Sequence, residues 1–228
     1  CGKRYLYTPK DIAGIRDRTV DEFLFEVENL LGGLWPDICS GALSIEMIEV
    51  RTALALFASA MHLRNVDIFN KIDKALELRI KLYGHTNDGR TTKSQEDREF
   101  DPDESGPIFA NIIQRKVHDI QRQLLDKGWS VLRTSRELYF TTDRPMLFLD
   151  ANGGMSGPSN PNAAVLFPLS PTCALFLNAG DSTQEFLEST IGEAAACDFN
   201  RLLWSNCLRF IITGRDPLEV QREIRERK

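Results

Sequence analysis

"DIQRQLLDKGWSVLRTSRELYFTTDRPMLFL", residues 119–149, is where the chain changes its period. Up to Leu124 the spacing is helical: Phe109, Ile113, Val117, Ile120 and Leu124 recur every three or four residues, behind a Pro107 suited to a first turn. Gly128 closes that helix. Beyond it Trp129–Thr134 and the Leu138–Thr141 run alternate, with Ser135-Arg136-Glu137 between them, which predicts a hairpin. Met146–Leu149 reads as a third short strand. Helices before this point and strands after it indicate an α+β fold rather than a doubly wound sheet.

Upstream, Thr19 and Glu22 form a capping box that starts a helix through Phe23, Val27 and Leu31, ended by Gly32-Gly33. Ser44 starts the next, in which Met47, Val50, Leu54, Phe57 and Met61 share a face widened by Ile48, Ala55 and Ala58. So broad an apolar band marks a central helix packed on more than one side. Phe69, Ile72, Leu76, Ile80 and Tyr83 continue it past a break at Arg64-Asn65. Residues 86–105 hold seven acidic and three basic residues and read as a solvated, mobile loop.

Downstream, 150–162 is a flexible Gly/Ser/Asn/Pro connector. The 164–167 and 172–177 runs pair around Pro168-Leu169-Ser170-Pro171. Ser182 with Glu185 and Thr190 with Glu193 are capping boxes, and the helix from Ile191 carries Phe199, Leu202 and Leu203. Residues 209–213 read as a last strand, and the tail as a polar helix or frayed end. The expectation is one α+β domain over 1–228. A helical bundle (1–128) packs on a mostly antiparallel sheet (129–228) with one late helix.

Composition narrows function. The 228 residues are 42% hydrophobic and 27% charged, enough for a core, with net charge −5. No block of Lys and Arg stands out, so a phosphate-tracking nucleic-acid surface is not favoured. The longest apolar run, 53–61, is too short to span a bilayer, and no signal peptide is read. Beginning on Cys1, the sequence reads as the continuation of a longer chain. Five cysteines with no C-x-x-C spacing suit a reducing, cytoplasmic setting. His62, His85 and His118 lie far apart, which predicts no zinc site and no cofactor.

Candidate chemistry is sparse. "NGGMSG" lacks the Lys-Ser/Thr ending of a phosphate-binding loop. Ser156 and Ser170 sit in no G-x-S-x-G elbow. Glu46 and Glu49 share a helix face beside Arg51, the pattern of a solvated stripe. In Thr141-Thr142-Asp143-Arg144-Pro145, Pro145 holds Arg144 extended, and Asp143 is suited to accept N–H bonds just ahead of it in an Asx turn.

Three blocks carry a resemblance: Phe140-Thr141-Thr142-Asp143-Arg144-Pro145-Met146, Phe167-Pro168-Leu169-Ser170-Pro171, and the stretch from Phe57 through Arg64 to Val66. In that order they are similar to motifs near F-I/L-T-S-D-N-P-V, F-P-L-S-P and F-L/I-A-x-Q-x-x-R-T-P of the family known as domain of unknown function 4238. Asn200 falls where that family often has Asn in a late helix. Met61, Asn65-Val66 and Arg144 depart from its usual Gln, Thr-Pro and Asn, and its opening H-x-x-P-x-x-Y/L-L motif is absent. The resemblance implies an intracellular microbial or fungal protein and no particular activity.

Two readings follow for the polar set Arg64, Thr142, Asp143, Arg144, Ser170 and Asn200. In one the chain is a non-catalytic binding or interaction module with a protein or small-molecule partner. In the other it is a hydrolase or nucleic-acid-processing enzyme with Asp143 as base or metal ligand and Arg64 as anion partner. Convergence of Arg64, Asp143 and Asn200 in an open pocket would favour the enzyme.

Overall fold

The computed structural model describes residues 14–65, 102–181 and 186–226, with a few helical positions between 68 and 78. The chain runs α1 (Thr19–Gly32), α2 (Trp35–Ser40), α3 (Ile48–Leu63), α4 (Pro102–Leu125), β1 (Lys127–Arg133), β2 (Thr141–Thr142), β3 (Leu147–Leu149), β4 (Ala164–Ser170), β5 (Cys173–Asp181), β6 (Leu187–Thr190), α5 (Glu193–Asn206), β7 (Ile211–Ile212) and α6 (Pro217–Glu226). The fold class is α+β. A five-stranded sheet has the order β3-β4-β5-β1-β6, and β2 pairs with β7 in a separate ribbon. β1–β5, β4–β5 and β3–β4 are antiparallel, while β6 joins β1 in parallel.

Helices cover both faces of the sheet. Because side chains alternate along a strand, Trp129, Val131, Phe148, Val165, Phe167, Leu175 and Leu177 point into one core with α1–α4. Leu147, Leu149 and Leu166 point the other way, against Leu203 of α5 and Val220 of α6. The late helix expected from Ile191 is α5, and the tail forms α6 beside it. The tail is helix α6 because Asp216 Oδ1 accepts the Leu218 N–H at 2.9 Å and Val220 is buried.

α3 is the central helix: Val50, Ala53, Leu54, Ala55, Ala58, Ser59, Ala60 and Leu63 are all buried. It begins at Ile48 rather than Ser44, whose hydroxyl accepts the Glu46 N–H in a preceding turn, so Met47 and Ile48 are left exposed. At α1 the expected box gives way to Asp17, whose Oδ1 accepts both the N–H and the hydroxyl of Thr19 at 2.9 and 2.6 Å. α5 starts from Gly192 without a side-chain cap, so the Thr190/Glu193 box is not formed. α4 starts at Pro102, inside the segment read as loop, and takes Pro107 into its second turn. The rest of that loop, 86–101, and the Ser182/Glu185 box lie outside the described residues.

The expected hairpin is absent. β1 takes β5 and β6 as neighbours, and Leu138, Tyr139 and Phe140 are all buried instead of alternating. They run between sheet and α5, with the Leu138 and Tyr139 N–H groups both donating to the Pro171 carbonyl at 2.8 and 2.9 Å. Nor is 150–157 merely a connector. Asp150 Oδ1 accepts the N–H groups of Asn152 and Gly154, each at 2.8 Å, and the Ser156 N–H donates to the Phe148 carbonyl, so the loop covers the β3 edge. Among the described residues no helix is long and apolar enough to cross a membrane.

Candidate functional site

The second family-like block ends β4 and turns into β5. Pro168 lacks an N–H and sits where the β4–β5 register shifts, the place a strand tolerates it. Ser170 Oγ accepts the Thr172 N–H and lies 3.3 Å from the Thr172 hydroxyl, closing the turn. The Leu169 carbonyl accepts the Trp35 indole N–H at 3.1 Å, which ties the bend to α2. Arg133 helps seat α2: its guanidinium donates to the Cys39 carbonyl at 2.5 Å and packs on Gly41, whose φ of +83° needs glycine. Burial pushes the Cys39 and Cys173 thiols up, with Cys173 at about 11, so neither is an activated nucleophile.

The first block locks the C-terminal segment. Thr142 Oγ1 accepts the Arg144 N–H at 3.0 Å, so Thr142, not Asp143, makes the local turn. Asp143 reaches across sequence instead. Its Oδ1 and Oδ2 accept the N–H groups of Leu208 and Arg209 at 3.0 and 2.9 Å, and its own N–H donates to the Phe210 carbonyl at 3.1 Å. Asn206 Nδ2 donates to the Arg144 carbonyl at 3.3 Å. Burial, and then the Asp143 charge, raise the Cys207 thiol.

The proposed set does not converge. Arg64 caps α3 on the other face of the sheet, where it pairs with Glu28 of α1. Asn200, buried in α5, donates from Nδ2 to the Leu138 carbonyl at 2.8 Å, while its Oδ1 is buried without a hydrogen-bond partner. Arg215 donates to the same carbonyl at 3.3 Å and pairs with Glu223. Sequence reading missed Asn206 and Arg215, whose bonds go to backbone carbonyls 62 and 77 residues away. No periodicity or short motif encodes such partners.

What does converge is the pair of blocks. A cavity of about 190 Å³ lies between residues 139–141, the 168–171 bend and residues 212–214. Its walls are mostly apolar. A larger cavity of about 360 Å³ has charged walls, but Arg136 pairs there with Glu193, and Glu223 with Arg215. A third, of about 550 Å³, runs beside His62 between α3, α4 and the Pro158-Ser159 turn. Burial, then the Lys71 charge, hold His62 down at about 4, and its ring stacks edge-on to Phe148 at 5.0 Å, so it is a neutral packing residue. Among the described residues no group of three or more His, Cys, Asp or Glu is placed to hold a metal ion.

A family model described as "Protein of unknown function (DUF4238)" matches residues 1–217. No curated protein and no solved structure matches the chain.

Proposed function

The chain belongs to the DUF4238 family, and from that premise we propose that it is a non-catalytic binding module whose ligand enters the cleft where residues 139–141 meet the 168–171 bend. One observation carries this reading. Three polar side chains of the two blocks are spent on backbone: Thr142 on Arg144, Asp143 on Leu208 and Arg209, Ser170 on Thr172. A carboxylate with both oxygens accepting N–H bonds is engaged in holding the 208–209 backbone. What these bonds do is hold the walls of a small apolar cleft. Sites for whole cofactors or drug-sized ligands span about 300–1,000 Å³. A cleft of about 190 Å³ suits one apolar side chain or a small apolar molecule. The described cysteines form no disulfide, and with the net charge of −5 this supports a protein or small-molecule partner in a reducing, cytoplasmic setting over nucleic acid.

The test is a ligand-observed NMR screen of small apolar molecules and short peptides against the parent and Gly214→Leu. Gly214 lines the cleft, and a Cβ added there meets nothing nearer than Glu137 Oε2 at 3.6 Å, so the position accepts a side chain without a backbone clash. Ligands are expected to bind the parent and to bind Gly214→Leu at least about tenfold more weakly, with the melting temperature unchanged. Equal binding to both proteins overturns the cleft assignment. Chemical conversion of a ligand by the parent overturns the non-catalytic reading.

A further inference from the structure

Among the described residues β7 pairs with β2 alone. The register decides which of its backbone groups face outward. The Asp143 N–H bonds the Phe210 carbonyl, so Asp143 and Phe210 form a hydrogen-bonded pair. Bonded and non-bonded pairs alternate along an antiparallel ladder. Thr142·Ile211 is then the non-bonded pair and Thr141·Ile212 the next bonded one. The Ile211 N–H and C=O consequently point away from β2, along the outer edge.

The side chains agree with this register. Ile211 turns inward against the Phe140, Leu203 and Val220 cluster. Phe210 and Ile212 are 61% and 63% exposed, and Leu208, two residues before Phe210, is 45% exposed. Alternation puts Phe210 and Ile212 on one side of the extended segment, and Ile212 also lines the cleft. An edge with an apolar flank is one that proteins otherwise cover or blunt. The β3 edge is covered by its loop. The 208–210 stretch, which bends at Leu208 and Arg209 before β7, is fastened instead by Asp143. Arg209 stands exposed within it; its amide is held by Asp143, while its guanidinium has no carboxylate at ion-pair distance among the described residues.

We propose that β7 receives an extended segment of a partner protein, with alternating apolar and acidic residues, by strand addition. Its backbone pairs with Ile211, one apolar side chain enters the cleft beside Ile212, and a carboxylate meets Arg209. This is the mode in which main-chain bonds give affinity and pockets for alternate side chains give specificity. The charge selects the occupant: an acidic segment supplies the counter-charge that the exposed Arg209 guanidinium lacks among the described residues. The inference rests on the cleft being a binding site.

The experiment is selection of a random short-peptide library on phage against the full chain, followed by fluorescence anisotropy with synthetic versions of enriched sequences. Enriched peptides are expected to alternate apolar residues with Asp or Glu. Methylating their backbone nitrogens one at a time should weaken binding most at the nitrogen that faces the Ile211 carbonyl and little at its two neighbours. Arg209→Glu, and the double variant Phe210→Ser/Ile212→Ser, should each weaken binding about tenfold or more without lowering the melting temperature, since all three residues are exposed. A flat methylation scan, no enrichment of such peptides, or indifference to Arg209→Glu overturns strand addition. So does concentration-dependent dimerisation that Ile212→Ser abolishes, because it gives the edge to a second copy. If peptides lose affinity on Gly214→Leu but not on Arg209→Glu, strand addition falls and the cleft reading survives. If small ligands also ignore Gly214→Leu, the cleft reading itself has failed.

Discussion

The two faces of the sheet are held by different forces. On the α1–α4 face a continuous apolar core joins Leu24, Leu31, Leu54, Phe109, Ile113 and Leu124 to Trp129, Phe167 and Leu175. On the α5–α6 face the apolar clusters are smaller, and side-chain bonds to distant backbone do much of the joining: Asp143 to Leu208 and Arg209, Asn200 and Arg215 to Leu138, Asn206 to Arg144. Burial is non-directional and grows with area, so the first face sets stability. Hydrogen bonds are directional and worth little net, so the second face sets where a few residues point. A ligand edge belongs on the second kind of surface.

The largest effect expected is therefore on the first face. Leu54 is fully buried at the centre of α3, and Leu54→Ala should cost about 2–5 kcal/mol, read from urea unfolding followed by circular dichroism. Phe57, half-buried with its ring 5.4 Å from Trp35, should cost less than Leu54 when cut to Ala. A Leu54→Ala loss no greater than that of any single polar deletion on the α5–α6 face would break the contrast.

The same face should give way in acid. The folded protein holds His62 at about 4, below its ordinary 6.5, so between those values the unfolded chain binds more protons. Its contribution is complete above about pH 6.5 and is lost as pH falls toward 4. Over that window stability should drop by about 2–3 kcal/mol from this residue. His62→Gln should flatten the curve of melting temperature against pH there, and an unchanged slope would remove His62 as its source.

The two faces also differ in how far sequence reveals them. The Val50, Leu54 and Ala58 face of α3 and the α4 stripe were legible because burial on a helix leaves a period. So was the α+β order, from the change of period after Gly128. The partner of β1 was not legible. Leu138, Tyr139 and Phe140 look like a hairpin arm, but burial on every side moves them out of the sheet, and local alternation carries no information about distant pairing. Strand β6, Leu187–Thr190, was not read, because its four residues are all exposed and pair in parallel with β1, far away in sequence; the Thr190/Glu193 capping pattern beside it is one that the chain does not use. For the site, the two blocks were found and their meeting around a cleft was not. Arg64 was grouped with Asp143 by family motif alone, and the sheet separates them.

A smaller effect is expected at Asn200. Asn200→Ala removes one bond to the Leu138 carbonyl, but Arg215 still serves that carbonyl, and the unpartnered Oδ1 goes too. The net cost should be about 1–2 kcal/mol in the same unfolding experiment. The double variant with Arg215→Ala, which strands the carbonyl, should cost more than the sum of the two single variants. Strict additivity would mean that the two bonds are independent.

The smallest effect, and the most informative, concerns Asp143. Its two acceptors fasten N–H groups that are close to solvent, so Asp143→Ala should cost only about 1 kcal/mol. Asp143→Asn should recover part of this, since an amide oxygen can accept one N–H but its nitrogen faces the other as a second donor. Stability alone cannot separate loss of the clasp from loss of the charge, and Cys207 can. Its thiol is raised by burial and next by the Asp143 carboxylate, so both variants should make it more acidic and speed its alkylation by iodoacetamide at mildly alkaline pH. Peptide mass spectrometry distinguishes Cys207 from Cys39 and Cys173. If the clasp presents the β7 edge, Asp143→Asn should bind an acidic–apolar peptide more weakly than the parent but better than Asp143→Ala, while Cys207 reacts faster in both. Peptide binding that tracks the Cys207 rate, equal in the two variants, would assign the role of Asp143 to its charge and not to the backbone it holds.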